Sequence, residues 1–101
     1  MYQSIENFVS ERTKEDIEKV EDMAYKLMSV RDIAILLGYA PAMLTMVVRD
    51  EVNAVAEAYY RGKARRVLEM HEQEIELAGS GSAQAMENLH GFLNKMEAAE
   101  E

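Results

Sequence analysis

The only proline of this 101-residue chain, Pro41, stands three residues after Gly38, and this pair limits the possible folds more than any other feature. Glycine readily adopts the left-handed conformation that ends a helix, and proline fits the first turn of a helix, where its missing N–H has no partner to lose. The spacing therefore predicts a tight turn between two short helices, over residues 31–37 and 41–49. With no other proline and only four other glycines, the rest of the chain is free to form helices.

Composition excludes several classes of protein. Apolar residues make up 49% of the chain, too many for a disordered protein. Without cysteine there is no disulfide framework and no thiolate metal site. The N-terminal sequence lacks the pattern of a signal peptide and no run of 18 apolar residues occurs, so we expect a cytoplasmic protein that contacts no membrane. We expect residues 1–101 to form one domain, which at this size gains stability as a homo-oligomer.

The N-terminal third predicts one further helix. Thr13 can cap it, and its apolar residues recur at spacings of three and four as far as Leu27. We therefore expect this helix to end near Met28. Residues 1–12 are compatible with either a short docked helix or a loose arm.

The C-terminal half predicts two longer helices. Residues 50–78 have helical composition throughout, with one interior glycine, Gly62, near which the apolar face changes direction. The run AGSGS, residues 78–82, then breaks the chain, and Ser82 can cap a last helix. Because only five residues connect them, the two helices are expected to lie antiparallel.

The sequence around the turn matches the packing needs of a helix-turn-helix. Its two helices cross closely, so a small residue is needed at the crossing, a glycine at the turn, and apolar residues on the inner face of the second helix. Ala34 precedes Gly38 by four residues, and Leu44 and Val47 follow that glycine by six and nine residues. The predicted core of the motif comprises Ile33, Ala34, Leu37, Gly38, Leu44 and Val47.

Together these elements predict an all-α fold. An N-terminal helix-turn-helix of three short helices occupies residues 13–50, and a long helix with an antiparallel C-terminal helix forms a hairpin over residues 51–101. Apolar residues recur along this hairpin at spacings of three and four, which predicts an oligomerisation subregion. Its candidate interface residues are Val67, Ile75, Met86, Leu89, Leu93 and Met96.

The distribution of charge indicates a nucleic-acid partner, although the net charge is −8. Residues 31–66 carry six basic and four acidic side chains, and the segment RGKARR, residues 61–66, contains four of the eleven basic residues. Basic side chains hold phosphates without reading sequence, so we expect double-stranded DNA as a partner. The alternative is a solvated helix face whose basic side chains pair with Glu57, Glu69 and neighbouring acids.

The second short helix offers few groups that could read bases. Thr45 and Arg49 are its hydrogen-bonding side chains on the outer face, and Met46 can contact thymine methyl groups. The expected sequence preference is therefore weak. The candidate DNA-binding residues are Arg31, Thr45, Met46, Arg49, Arg61, Lys63, Arg65 and Arg66.

Over residues 14–96 the order of these features resembles the small terminase subunits of tailed bacteriophages and related prophages. The matching positions are Ile33, Ala34, Leu37, Gly38, Ala58, Tyr59, Gly62, Lys63, Ala78, Gly79, Gly81, Ala83 and Ala85. The resemblance implies a non-enzymatic protein of the bacterial host cytoplasm that binds phage or prophage DNA for genome packaging. It also implies oligomerisation through the C-terminal helices and a terminase large subunit as a partner.

Signatures of enzymes are incomplete in this sequence. The segment HEQEI at His71 begins like a zinc-protease helix, but Ile75 stands where the second histidine is needed. We expect no catalytic residue, no metal and no cofactor. Two other functions stay open: a small helix-turn-helix regulator or accessory factor of a mobile element, and a protein-interaction module that uses Ala42, Met43 and Met46 and binds no DNA.

Overall fold

The computed structural model describes residues 3–100, and over that range the protein is all-helical, without a β-strand. Within these described residues six helices follow one another: α1 (Ile5–Ser10), α2 (Lys14–Tyr25), α3 (Val30–Leu37), α4 (Pro41–Asp50), α5 (Ala54–Gly79) and α6 (Ala83–Glu100). The N-terminal segment, for which the sequence left two conformations open, thus contains the short helix α1.

Side-chain caps fix the starts of α2 and α6 where the sequence predicts them. The hydroxyl of Thr13 accepts a hydrogen bond from the amide of Asp16 at 3.1 Å, while the Asp16 carboxylate accepts one from the amide of Thr13 at 2.9 Å. Ser82 Oγ accepts a hydrogen bond from the amide of Ala85 at 3.2 Å. The bonds at Thr13 also lower the pKa of Asp16, because they favour its charged form.

Helix α2 ends earlier than the sequence predicts, at Tyr25 instead of near Met28. Leu27 adopts a φ of 62°, its amide donates to the carbonyl of Ala24 at 2.9 Å, and the amide of Met28 donates to the carbonyl of Met23 at 3.2 Å. This pair of bonds is the Schellman arrangement, which terminates a helix through one left-handed residue. Leu27, expected on the apolar face, is exposed instead.

A second correction concerns residues 51–53, which were predicted to be helical. Helix α4 ends before this segment and α5 begins after it, because Glu51 adopts a φ of 64°. Asn53 Oδ1 accepts a hydrogen bond from the amide of Ala56 at 2.8 Å, and its Nδ2 donates to the carbonyl of Val47 at 2.9 Å. This one side chain therefore caps α5 and satisfies a carbonyl near the end of α4.

The hydrophobic core lies among α1–α4 and the first part of α5. Its buried members are Phe8, Val20, Ala24, Ile33, Ala34, Leu44, Val47, Val48, Val55 and Tyr59. Gly62 brings α5 close to α2, because a Cβ at this position would lie 3.0 Å from Ala24 Cβ and would overlap the carbonyl oxygen of Glu21.

The chain divides into two compact units, and the boundary falls within α5: one unit ends at Arg66 and the other begins at Val67. Within the described part of the second unit, Ala85 alone is fully buried. None of the helices described is long and apolar enough to cross a bilayer. The predicted single domain, with subregions at 13–50 and 51–101, stays a prediction.

Candidate functional site

The turn between α3 and α4 has the geometry that Gly38 and Pro41 predict. Gly38 has a φ of 78°, its amide donates to the carbonyl of Ile35 at 3.3 Å, and the amide of Tyr39 donates to the carbonyl of Ala34 at 2.8 Å. These bonds close α3 in the Schellman arrangement. Pro41 then starts α4, which has no side-chain cap.

Most residues predicted for the core of this helix pair are buried. Ile33, Ala34, Leu44 and Val47 have almost no exposed surface, whereas Leu37 is half-buried and Gly38 is exposed at the turn. Ala34 is the small residue on α3 that packs in this core, as its spacing from Gly38 predicts.

An edge-to-face aromatic pair, Phe8 and Tyr39, connects α1 to the turn, a contact that the sequence did not reveal. The rings of Phe8 and Tyr39 meet edge to face with their centroids 5.2 Å apart. The guanidinium of Arg12 lies 4.4 Å from the centroid of Phe8 and 4.7 Å from that of Tyr39, and Arg12 Nε donates to the carbonyl of Phe8 at 3.1 Å. Arg12 lies just beyond the end of α1, so no helical spacing in the sequence indicated this contact.

The outer face of α4 carries little hydrogen-bonding capacity. The hydroxyl of Thr45 donates to the carbonyl of Pro41 at 2.9 Å, so its proton is used within the helix. Met46 and Arg49 are exposed on the same helix, and Arg31 is exposed at the start of α3. Arg31 and Arg49 are therefore accessible cations, while Thr45 is left mainly as an acceptor.

An open pocket of about 430 Å³ adjoins this outer face. It lies between α1 and the N-terminal part of α4, and apolar side chains form most of its wall. Its lining includes Phe8, Arg12, Tyr39, Ala42, Met43 and Met46. Met43 and Met46, both predicted as contact residues, thus line one pocket together with this aromatic pair.

The basic segment of α5 is ion-paired to α2. Arg61 Nη1 lies 3.0 Å from Glu21 Oε1, and Arg65 Nη1 lies 2.8 Å from Glu21 Oε2. The hydrogen bond from Arg61, followed by that from Arg65, holds the pKa of Glu21 below its ordinary value. The alternative interpretation of the sequence expected acids of the same helix, Glu57, Glu69 and their neighbours, as partners. For Arg61 and Arg65, the acid that is bound lies on α2 instead.

Three cations of this segment, Lys63, Arg65 and Arg66, also make cation–π contacts with tyrosine rings. The guanidinium groups of Arg65 and Arg66 lie 4.9 and 5.5 Å from the ring centroid of Tyr25. Lys63 Nζ lies 5.1 Å from the centroid of Tyr59 and donates to its hydroxyl at 3.4 Å. All four basic residues are thus held by contacts within the first unit.

The second unit exposes most of its apolar side chains. His71 stacks on Phe92 with ring centroids 3.8 Å apart, and Asn88 Nδ2 donates to Glu74 Oε2 at 3.0 Å. Leu89 is half-buried. The other residues predicted for oligomerisation are exposed, namely Val67, Ile75, Met86, Leu93 and Met96.

Within the described residues, no group of three or more His, Asp or Glu side chains is arranged to hold a metal ion. No protein-family model, curated protein or solved structure matches this chain.

Proposed function

We propose that this protein is a non-enzymatic DNA-binding protein of the small terminase subunit type, acting on phage or prophage DNA in the cytoplasm of a bacterial host. In this proposal α3 and α4 form a helix-turn-helix, and the basic segment of α5 holds DNA phosphates. The helices α5 and α6 form an antiparallel hairpin through which the chain self-associates.

The turn between α3 and α4 carries this proposal. A small buried residue, Ala34, stands at the contact between the helices, and Gly38 turns the chain in the left-handed conformation. Leu44 and Val47 are buried on the inner face of α4, which leaves its outer face available to a DNA groove. This combination of contacts is what a helix-turn-helix needs.

The side chains on the outer face support weak sequence preference. Base reading in the major groove relies on Arg, Lys, Asn and Gln, and α4 offers only Arg49 from this group on its exposed surface. Arg61, Lys63 and Arg65 are exposed and can hold phosphates, which gives affinity without a sequence code.

The exposed apolar side chains of the second unit support self-association. Ile75, Met86 and Leu93 have about half of their surface exposed, which is unfavourable for a monomer in water. The pairs His71–Phe92 and Glu74–Asn88 run in opposite directions along α5 and α6, which supports an antiparallel hairpin. A terminase large subunit is the further partner in this proposal.

Binding to a duplex of about 30 base pairs, measured by fluorescence anisotropy between about 50 and 200 mM salt, tests the DNA-binding part. We expect affinity to fall steeply with salt and to vary little with sequence. Replacing Arg61, Lys63 and Arg66 by alanine should weaken binding to all duplexes and reduce the salt slope by about 2 to 3. The matched control replaces three exposed lysines outside this segment by alanine, namely Lys14, Lys19 and Lys26.

Equal losses in the two triple variants would mean that only net charge matters, and would remove the phosphate assignment. Absence of DNA binding by the wild-type protein at about 50 mM salt would overturn the proposed function itself. A strong preference for one palindromic site by a dimer would instead favour the small regulator or accessory factor of a mobile element.

The mass in solution tests self-association. Light scattering should give several times the monomer mass of 11.5 kDa. Ile75→Glu combined with Leu93→Glu should lower that mass, because both changes place charge on exposed apolar positions. Gln73→Glu, an added charge at an exposed polar position of α5, should leave it unchanged. A wild-type monomer would exclude an oligomeric packaging protein.

The pocket beside α4 favours a second candidate function, a protein-interaction module without DNA. Ala42, Met43 and Met46 line it together with aromatic side chains, and flexible methionines suit apolar protein contacts. In that case Met43→Ala and Met46→Ala should abolish capture of a specific protein partner, and the triple variant of the basic segment should capture it normally.

A further inference from the structure

The carboxylate of Glu21 is shared between two arginines of α5. Each of its oxygens accepts one guanidinium N–H, at 3.0 Å from Arg61 and 2.8 Å from Arg65. Its side chain is only 22% exposed, whereas the two arginine side chains are 58% and 54% exposed. One semi-buried anion is thus held by two cations whose side chains are more than half exposed.

The helix packing fixes this carboxylate in place. Arg61 and Arg65 are four residues apart and so lie on the same face of α5. Gly62 lies against the backbone of α2 at Glu21 itself, because a Cβ there would overlap the Glu21 carbonyl oxygen. The backbone that carries the carboxylate therefore cannot move away from the arginines without loss of this packing.

A carboxylate and a phosphodiester compete for the same guanidinium donors. Both present two anionic oxygens on one central atom, and arginine binds either group through paired N–H donors. The guanidinium carbon of Arg65 also lies 4.9 Å from the centroid of the Tyr25 ring, a cation–π contact that keeps it near Glu21. The carboxylate of Glu21 thus occupies donors that an incoming phosphate would use.

We propose that Glu21 is a built-in competitor of phosphate, which lowers the affinity of the Arg61–Arg65 pair for nucleic acid until a phosphate displaces it. The inference rests on the proposed function, since it concerns regulation of the same basic segment. Glu21 neutralises one of the two charges and occupies one donor on each arginine. Only a ligand that offers several phosphates at once competes effectively with an anion tethered in this way.

The substitution Glu21→Gln tests this proposal, because it keeps the size of the side chain and removes its charge. The matched control is Glu18→Gln, an exposed acid one turn earlier on α2 with the same change in net charge. Binding to a duplex of about 30 base pairs of arbitrary sequence is measured for both variants and for the wild type, over about 50 to 200 mM salt.

We expect Glu21→Gln to tighten binding by about ten-fold and to steepen the salt slope by about 1 to 2, as two arginines become available to phosphates. Glu18→Gln should change affinity by no more than about two-fold. Equal effects of the two variants would overturn the proposal. Weaker binding by Glu21→Gln would also overturn it, because Glu21 would then orient the arginines for DNA.

The double variant Arg61→Ala with Arg65→Ala separates failure of the competitor proposal from failure of the proposed function. If wild type binds DNA and Arg61→Ala with Arg65→Ala weakens binding, while Glu21→Gln behaves like Glu18→Gln, only the competitor proposal fails. If neither wild type nor Glu21→Gln binds DNA, the proposed function fails with it.

A measurement on the wild-type protein does not depend on the folding of any variant. The carbon-13 shift of the Glu21 carboxyl group, followed over pH, should give a depressed pKa in the free protein. In the DNA complex this pKa should rise, because phosphates take over the guanidinium donors. An unchanged pKa in the complex would show that no displacement occurs.

Discussion

Gly62 of α5 packs directly against Ala24 of α2, with no room for a side chain between the two helices. A Cβ at Gly62 would lie 3.0 Å from Ala24 Cβ and 2.9 Å from the amide nitrogen of Tyr25. Because most of the atoms that this Cβ would meet belong to the backbone of α2, they cannot rotate out of its way. Gly62→Ala should therefore destabilise the fold by about 1–3 kcal/mol in urea unfolding, despite the better helix propensity of alanine.

The control for this prediction is Gly91→Ala. Gly91 is an exposed glycine within α6, and a Cβ there would meet nothing within 4 Å. This change should stabilise α6 by about 0.5–1 kcal/mol. If both substitutions shift stability in the same direction, close packing at Gly62 is not the determining factor.

Gly38→Ala should destabilise the protein by about 1 kcal/mol. The open space around Gly38 means that its left-handed φ of 78°, and no steric contact, causes the loss. Gly38→Asn should lose less, since asparagine tolerates this conformation better. Thermal unfolding followed by circular dichroism checks the order glycine, asparagine, alanine, and an equal loss for both variants would contradict it.

Leu27→Gly should have the opposite effect. Leu27 occupies the same left-handed position in its turn as Gly38 does, and its side chain is exposed, so glycine would relieve strain with little loss of burial. The expected gain is about 0.5–1 kcal/mol in urea unfolding. Leu36→Gly, at an exposed apolar position inside α3, should instead lose about 1 kcal/mol. A loss from Leu27→Gly would show that this side chain makes a stabilising contact.

Asn53→Ala should destabilise the fold by about 1–2 kcal/mol, because it removes the cap of α5 and the bond to the carbonyl of Val47 together. Asn53→Ser should lose less, since a hydroxyl can still cap the helix. Asn94→Ala, on the exposed surface of α6, should stay within about 0.5 kcal/mol of wild type. Chemical denaturation of the three variants ranks these losses of stability. If Asn53→Ala and Asn53→Ser lose similar amounts, the loss comes from the hydrogen bond to the carbonyl of Val47 and not from the cap.

The ion pairs of Glu21 should make stability depend on pH. Arg61 and Arg65 lower the folded-state pKa of this carboxyl from its ordinary value of 4.5, so their stabilisation is complete above about 4.5. It is lost as pH falls through the lowered pKa. Glu21→Gln should therefore be less stable than wild type by about 1 kcal/mol at pH 7, and this difference should shrink as pH falls below about 4.5 and through the lowered pKa. A difference that does not change with pH in the acid range would exclude the carboxylate as its source.

Local chemistry made several elements predictable. Thr13 and Ser82 are capping residues whose hydrogen bonds span three residues, and the turn from Gly38 to Pro41 depends only on the conformations those residues favour. In each case the partner atoms lie within one helical turn of the signal. The start of α2 and the boundaries at this turn therefore follow from short stretches of sequence.

The break at residues 51–53 was missed because two signals conflicted. Glu51 and Val52 have ordinary helical composition, and nothing local favours the φ of 64° at Glu51. Asn53 is a favoured capping residue and could have indicated the start of α5. Its second bond, to the carbonyl of Val47, depends on the packing of α4 against α5.

The partner of the basic segment could not be predicted from the sequence. Helical spacing put Arg61 and Arg65 on one face, but Glu21 stands forty residues before Arg61 and belongs to another helix. The close approach at Gly62 selects this acid among the many on α2. The sequence predicted only that the apolar face of α5 changes direction near Gly62. The steric role of this glycine could not be predicted, because it depends on how α2 packs against α5.

The edge-to-face contact of Phe8 with Tyr39 has a consequence for how the chain folds as it is synthesised. Helix α1 has six residues, too few to persist alone in water, and its buried ring packs on a residue translated thirty-one positions later. The N-terminal helix must therefore wait for the turn after α3 before it can dock. Helix α1 is therefore synthesised well before the ring that it packs against, so its docking lags behind its synthesis.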